Sequence, residues 1–134
     1  MAKRIMKLTE TLATVKITGT GAETISLSTD LLSPTQELGT TPTVGIQYLQ
    51  WTTGGSIIVA RNGVTVFELY GSTGNFDLSG HGGMLDTQNS TNDITVTVTG
   101  GGSLLISLRK MSGYNSKIEP WAFGQYDDPT KVGE

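Results

Sequence analysis

Residues 56–70 read Ser56-Ile57-Ile58-Val59-Ala60-Arg61-Asn62-Gly63-Val64-Thr65-Val66-Phe67-Glu68-Leu69-Tyr70, two β-branched and aromatic runs joined by an Asn-Gly pair. A two-residue type I′ turn needs positive φ at both central positions. Asn tolerates that conformation and Gly adopts it freely, and the twist of the turn matches the flanking strands. The stretch predicts an antiparallel β-hairpin. Strict counting outward from the turn sets Ala60 opposite Thr65, Val59 opposite Val66, Ile58 opposite Phe67 and Ile57 opposite Glu68. Ile58, Ala60, Phe67 and Leu69 then share one face and are the core candidates. Ile57, Val59 and Val66 share the other with Arg61, Glu68 and Tyr70. That second face is apolar enough to predict cover by another segment or another subunit.

Alternation of the same kind runs through most of the chain. Residues 14–18 set Val15 and Ile17 against Thr14, Lys16 and Thr18, and residues 23–28 resume with Ile25 and Leu27 inward, as in a half-buried antiparallel pair. Residues 30–42, with Pro34, Gly39 and Pro42, read as a connecting loop with a short helical turn at Leu31-Leu32. Residues 43–52 form a strand with apolar side chains on both faces. Residues 74–78 suit a short edge strand, and residues 79–91 a glycine-rich loop. Residues 93–99 and 104–110 alternate around Gly100-Gly101-Gly102. Eight short strands predict an all-β, antiparallel two-sheet β-sandwich or jelly roll, with a small barrel as the alternative.

The end of the sequence has a different character. Residues 113–134 show no periodicity and carry Pro120 and Pro129, yet hold Tyr114, Trp121, Phe123 and Tyr126. Aromatic groups gain much from burial and are scarce in idle tails. The expected organisation is a β-sandwich domain over residues 1–112 and an extended C-terminal arm over 113–134. The arm would dock through Trp121, Phe123 and Tyr126 either on its own domain or on a neighbour.

With 134 residues the chain suits one domain with a real core. Its formal net charge of -3 argues against a general nucleic-acid binder, which needs a basic face to neutralise phosphates. No apolar stretch approaches the ~20 residues of a membrane-spanning helix. The opening Met1-Ala2-Lys3-Arg4-Ile5-Met6-Lys7-Leu8 has the charge of a signal-peptide start but turns polar at Thr9-Glu10. Cysteine is absent, which removes disulfides, thiolate metal sites and thiol nucleophiles.

Little in the sequence carries chemistry. His81, the one histidine, sits between glycines with Asp77 and Asp86 nearby, at no spacing that a helix or strand would fix into a ligand set. No Gly-x-Ser-x-Gly elbow is present, and neither glycine cluster leads into a helix that could cradle phosphate. The reading is a protein with no catalytic residues, no metal and no cofactor. Trp51, Trp121 and the tyrosines leave a sugar-stacking platform open as an alternative.

Taken together, Arg4-Ile5-Met6-Lys7-Leu8-Thr9, Thr24-Ile25-Ser26-Leu27 followed by Asp30-Leu31-Leu32-Ser33-Pro34-Thr35, Val59-Ala60-Arg61-Asn62-Gly63-Val64, Arg109-Lys110-Met111-Ser112-Gly113-Tyr114 and Ser116-Lys117-Ile118-Glu119-Pro120 resemble small virion structural proteins of tailed bacteriophages, especially those of marine cyanobacterial phages. The resemblance implies a non-enzymatic part of the particle, made in the host cytoplasm and carried on the virion. Its partners would be the major capsid protein or other virion proteins, as a decoration or cement protein. A homo-oligomer, with a trimer as the simplest guess, is expected through Ile57, Val59 and Val66. An exterior carbohydrate-binding or host-recognition module, or a neck or tail component, are the alternatives.

Overall fold

The computed structural model describes residues 1–78 and 90–116, with the side chain of Thr40 excepted. Nine strands are present among them: β1 (Ala2–Leu8), β2 (Leu12–Thr18), β3 (Gly21–Ile25), β4 (Gln36–Thr53), β5 (Ser56–Arg61), β6 (Val64–Tyr70), β7 (Thr73–Asp77), β8 (Ile94–Thr99) and β9 (Gly102–Ser116). They form two antiparallel sheets, one ordered β1-β2-β9-β4-β7 and the other β3-β8-β5-β6, packed as a β-sandwich. The hairpin sits where expected. Asn62 and Gly63 have φ of 52° and 74°, and Arg61 pairs with Val64 across the turn.

Four strand pairs nest around that turn: β5 with β6, β4 with β7, β3 with β8 and β2 with β9. Successive pairs alternate between the two sheets. The strands β2 to β9 therefore follow the path of one long antiparallel ribbon whose tip is Asn62-Gly63, wound so that its inward side chains meet. Val15 and Ile17 on β2, Val44, Ile46 and Leu49 on β4, and the Leu104, Ile106, Leu108 row of β9 face Ile57 and Val59 on β5 and the Ile94, Val96, Val98 row of β8. All of these are fully or almost fully buried. Burial of each such side chain contributes roughly 1.5–3 kcal/mol, so this interior is the main source of stability.

Several sequence expectations are corrected. The opening residues form β1, whose inward Lys3 clamps the sheet edges by donating from Nζ to Thr24 O at 2.8 Å and to Asp30 Oδ2 at 2.7 Å. The strands read at 14–18 and 23–28 do not pair. The chain changes sheet between them, so β2 pairs with β9 and β3 with β8. The expected loop at 30–42 is already strand from Gln36, and no helix forms at Leu31-Leu32.

The domain also runs past residue 112. Gly113 takes φ +86°, and a Cβ there would meet Pro42 Cα at 2.5 Å and Thr41 O at 2.7 Å, so the strand turns tightly under β4. It continues as far as Ser116, paired with Gln36. Tyr114 belongs to this domain, its hydroxyl donating to Leu27 O at 2.6 Å.

Candidate interaction surface

The hairpin presents the opposite face from the one expected. The turn and its first two rungs are as counted, with Arg61 opposite Val64 and Ala60 opposite Thr65, but Val59 then faces Phe67 instead of Val66. Val66 is the extra residue of a β-bulge, and a one-residue slip moves every later side chain to the other side of the sheet. The slip brings Phe67 and Leu69 of β6 to the side of Val59 and Ile57, which are fully buried in the core, and Val66 is half-buried and packed against it. The expectation that Ile57 and Val59 form an outer, subunit-facing surface is overturned. Outward on β5 are Ile58 and Ala60, both half-buried, beside Thr97 and Thr95 of β8. Trp121, Phe123 and Tyr126 lie outside the described residues.

Among the described residues two cations are buried, and each is bonded to backbone. Arg61, 1% exposed, donates from Nη1 to Val44 O at 2.6 Å, from Nη2 to Ser90 O at 2.6 Å and Asn92 O at 3.0 Å, and from Nε to Asn92 O at 3.2 Å. It fastens the hairpin to β4 and to the strand entering β8. Lys110 donates from Nζ to Thr9 O and Gln36 Oε1, both at 2.7 Å, and lies 4.9 Å from the centre of the Tyr114 ring. Burial lowers its pKa to about 8, opposed by the nearby Glu10 carboxylate. The Tyr114 hydroxyl is shifted the other way. Burial and the Asp93 carboxylate raise its pKa against the opposing Arg61 charge, which keeps it protonated as a donor. These groups hold one pole of the sandwich together, a structural role in which both cations and the Tyr114 hydroxyl are bonded to carbonyl or amide acceptors.

Exposed cations gather on the outer face of the five-stranded sheet. Directly opposed residues point to the same side. One rung across this face is therefore Arg4, Lys16, Leu105 and Gln50, and the next is Lys7, Thr14, Ser107 and Tyr48. Arg109 follows on β9, opposite Leu12. Arg4, Lys7, Lys16 and Arg109 are all exposed, and among the described residues no side-chain hydrogen bond or ion pair engages them. Among the described residues the carboxylate on these rungs is Asp77, opposite Tyr48 on the far edge strand β7, some ~14 Å from β2 and ~19 Å from β1 at ordinary strand spacing, while Glu37 is exposed farther along β4, opposite Asn115.

Between the cations the surface is apolar and indented. Two adjoining troughs, of about 310 Å³ and about 240 Å³, share Met6 and Lys16, and Leu105 lines the larger. Met6 is itself the extra residue of a bulge in β1, between Ile5 and Lys7, and is 49% exposed. The outer face of the other sheet contrasts with this one. Among the described residues it presents Thr24, Thr95, Thr97, Ile58 and Ala60 with Glu68, and no cation at a strand position.

Trp51 is half-buried, lines the larger trough and is held by two neighbours. Its Nε1 donates to Tyr70 O at 3.2 Å, and its ring crosses Gly74, where a Cβ would meet Cζ2 at 2.6 Å. Among the described residues no three His, Asp or Glu side chains group to hold a metal ion, and His81 and Asp86 lie outside them. No family model matches the chain, and no curated protein or solved structure matches it either.

Proposed function

We propose that this protein is a non-enzymatic structural component of a phage particle, decorating or cementing the shell by docking on the major capsid protein or another virion protein. The observation that carries this reading is the outer face of the β1-β2-β9-β4-β7 sheet. Four exposed cations occupy adjacent strands there, around apolar Met6 and Leu105, in a protein whose overall charge is negative. Arg4 stands directly opposite Lys16. Like charges in that relation destabilise a sheet by a few tenths of a kcal/mol, and an acidic protein surface laid across them reverses the sign.

The ribbon topology fits the same reading. Nested pairs β2·β9, β3·β8, β4·β7 and β5·β6 in alternating sheets support reading the sandwich as a jelly roll, an architecture used in viral shells and in lectins. That is an analogy of fold and leaves function to the surface. A lectin-like role finds less support, because the indole of Trp51 is engaged with Tyr70 and Gly74. Imaging of labelled protein on intact particles tests the proposal. A fixed copy number at symmetry-related positions is the expected result, and absence from purified particles contradicts it.

A further inference from the structure

The two open sides of the sandwich are finished differently. Between β1 and β3 the gap is closed by charge: Lys3 Nζ bonds Thr24 O and Asp30 Oδ2, with Glu23 Oε1 at 3.8 Å. Between β6 and β7 it is closed by Phe67 and Phe76, whose ring centres are 5.9 Å apart with the planes at 58°. Phe76 stands opposite the buried Leu49 and so faces inward, yet it is 47% exposed. The strand edges differ as well. An open edge is a template for another chain, and lysines, bulges and occupied carbonyls block it. β1 carries Lys3, Arg4 and Lys7 with a bulge at Met6, β3 has Thr24 O taken by Lys3, and β6 has the bulge at Val66. β7 has none of these: its register against β4 is unbroken from Thr73 to Asp77, and it contains no cation.

The outward peptide groups of β7 are those of Thr73 and Asn75. Ser72 O accepts from Thr53 N and Leu78 N donates to Gln47 O, so the even-numbered peptides face β4 and the odd ones point away from it. Among the described residues no hydrogen bond engages Thr73 or Asn75 on that outer side. We infer that two copies of this chain associate through β7, the strands antiparallel about a two-fold axis at Asn75. The two Asn75 peptides then exchange a pair of hydrogen bonds. Phe76 comes opposite Gly74 of the second copy, beside the Trp51 ring that covers that glycine. Charge selects this arrangement, since antiparallel strands hold the two Asp77 carboxylates ~14 Å apart along their length, whereas parallel strands would set them close together. The two five-stranded sheets join edge to edge, and both cationic faces lie on the same side. On a repeating acidic surface the two faces would bind as a bivalent unit.

The chain has no cysteine, so single introduced thiols report the pairing directly. Residues opposed in such a bonded pair have Cα atoms ~5.5 Å apart, within reach of a disulfide. The contact is small beside the ~1,200 Å² of a stable complex, so wild type is expected to dimerise weakly in sedimentation equilibrium, with Kd on the order of 0.1 mM. Near that concentration and under mild oxidation, Asn75→Cys should form a disulfide dimer at least tenfold faster than Thr24→Cys on the β3 edge or Thr65→Cys on the β6 edge, both of them exposed positions. Asn75→Pro removes an N–H that points away from β4, and should abolish the dimer while the β-sheet circular dichroism is retained. Equal rates for the three thiols overturn the inference, as does faster cross-linking at the β3 or β6 edge. A folded Asn75→Pro protein that associates like wild type overturns it equally, and should that variant fold poorly the thiol rates decide alone. The measurement is made on free protein, so its failure leaves the particle assignment to its own test.

Discussion

Arg61 on the hairpin donates from Nη1 to the carbonyl of Val44 on β4 at 2.6 Å, joining the tip of one sheet to an inner strand of the other. The same guanidinium serves Ser90 O and Asn92 O, and Ser90 O also accepts from Val44 N at 3.1 Å. A buried Arg so bonded is costly to remove, because the carbonyls it serves have no solvent to replace it. Arg61→Met is expected to lose on the order of 3–5 kcal/mol in urea unfolding. Arg61→Lys should recover part of that, since one ammonium cannot span all three acceptors. A loss below about 1 kcal/mol for Arg61→Met would show that the network is dispensable.

The slip at Val66 separates two neighbouring side chains by their tolerance of charge. Val59 is fully buried and Ile58 faces outward beside Glu68 and Thr97. Val59→Asp should prevent folding or cost more than about 4 kcal/mol, whereas Ile58→Lys should cost less than about 1 kcal/mol. Circular dichroism with thermal unfolding decides between them. Comparable tolerance at both positions would contradict the bulged register.

Alkaline stability should show two opposing limbs. Unfolded Lys110 keeps its proton up to the ordinary 10.5, while the folded side chain releases it near 8. Between those values the unfolded state binds more protons, so stability rises with pH. Neutral Lys still has two N–H groups for Thr9 O and Gln36 Oε1, so the contacts persist. Tyr114 acts in the other sense. Its folded pKa is raised above the ordinary 10.0, so above that pH the folded state binds more protons and stability falls. The stability difference between wild type and Lys110→Met should therefore grow from pH 8 to 10.5, and that between wild type and Tyr114→Phe should shrink above pH 10. Flat differences over both intervals would contradict these environments.

What the sequence disclosed and what it concealed divide along a physical line. The Asn62-Gly63 turn is encoded by the φ preferences of two residues, and the all-β class by alternation repeated along the chain, so both are legible locally. Which face of a strand is buried depends on single-residue bulges. They occur at Met6 between Ile5 and Lys7, at Gln47 between Ile46 and Tyr48, at Val66 between Thr65 and Phe67 and at Met111 between Lys110 and Ser112. Each is fixed by the strand alongside and by the core beneath. On β4 the bulge explains apolar residues on both nominal faces: Val44 and Ile46 point inward before Gln47, and Leu49 points inward after it. Strict alternation carried past a bulge inverts the assignment, which is how Ile57 and Val59 came to be expected outside. The cationic face was hidden for a related reason. Arg4, Lys16 and Arg109 are distant in sequence and share one surface only through the β1·β2 and β2·β9 pairings.

The central claim is that this protein binds the particle through the outer face of its five-stranded sheet. Copies per purified particle, counted by quantitative mass spectrometry for wild type and for Arg4→Glu/Lys16→Glu supplied in the same infected cells, test it most directly. The account predicts a constant wild-type number set by the symmetry of the shell and at least a tenfold reduction for the charge-reversed protein, with both equally folded. Equal incorporation of the two proteins, or particles that contain neither, would contradict it.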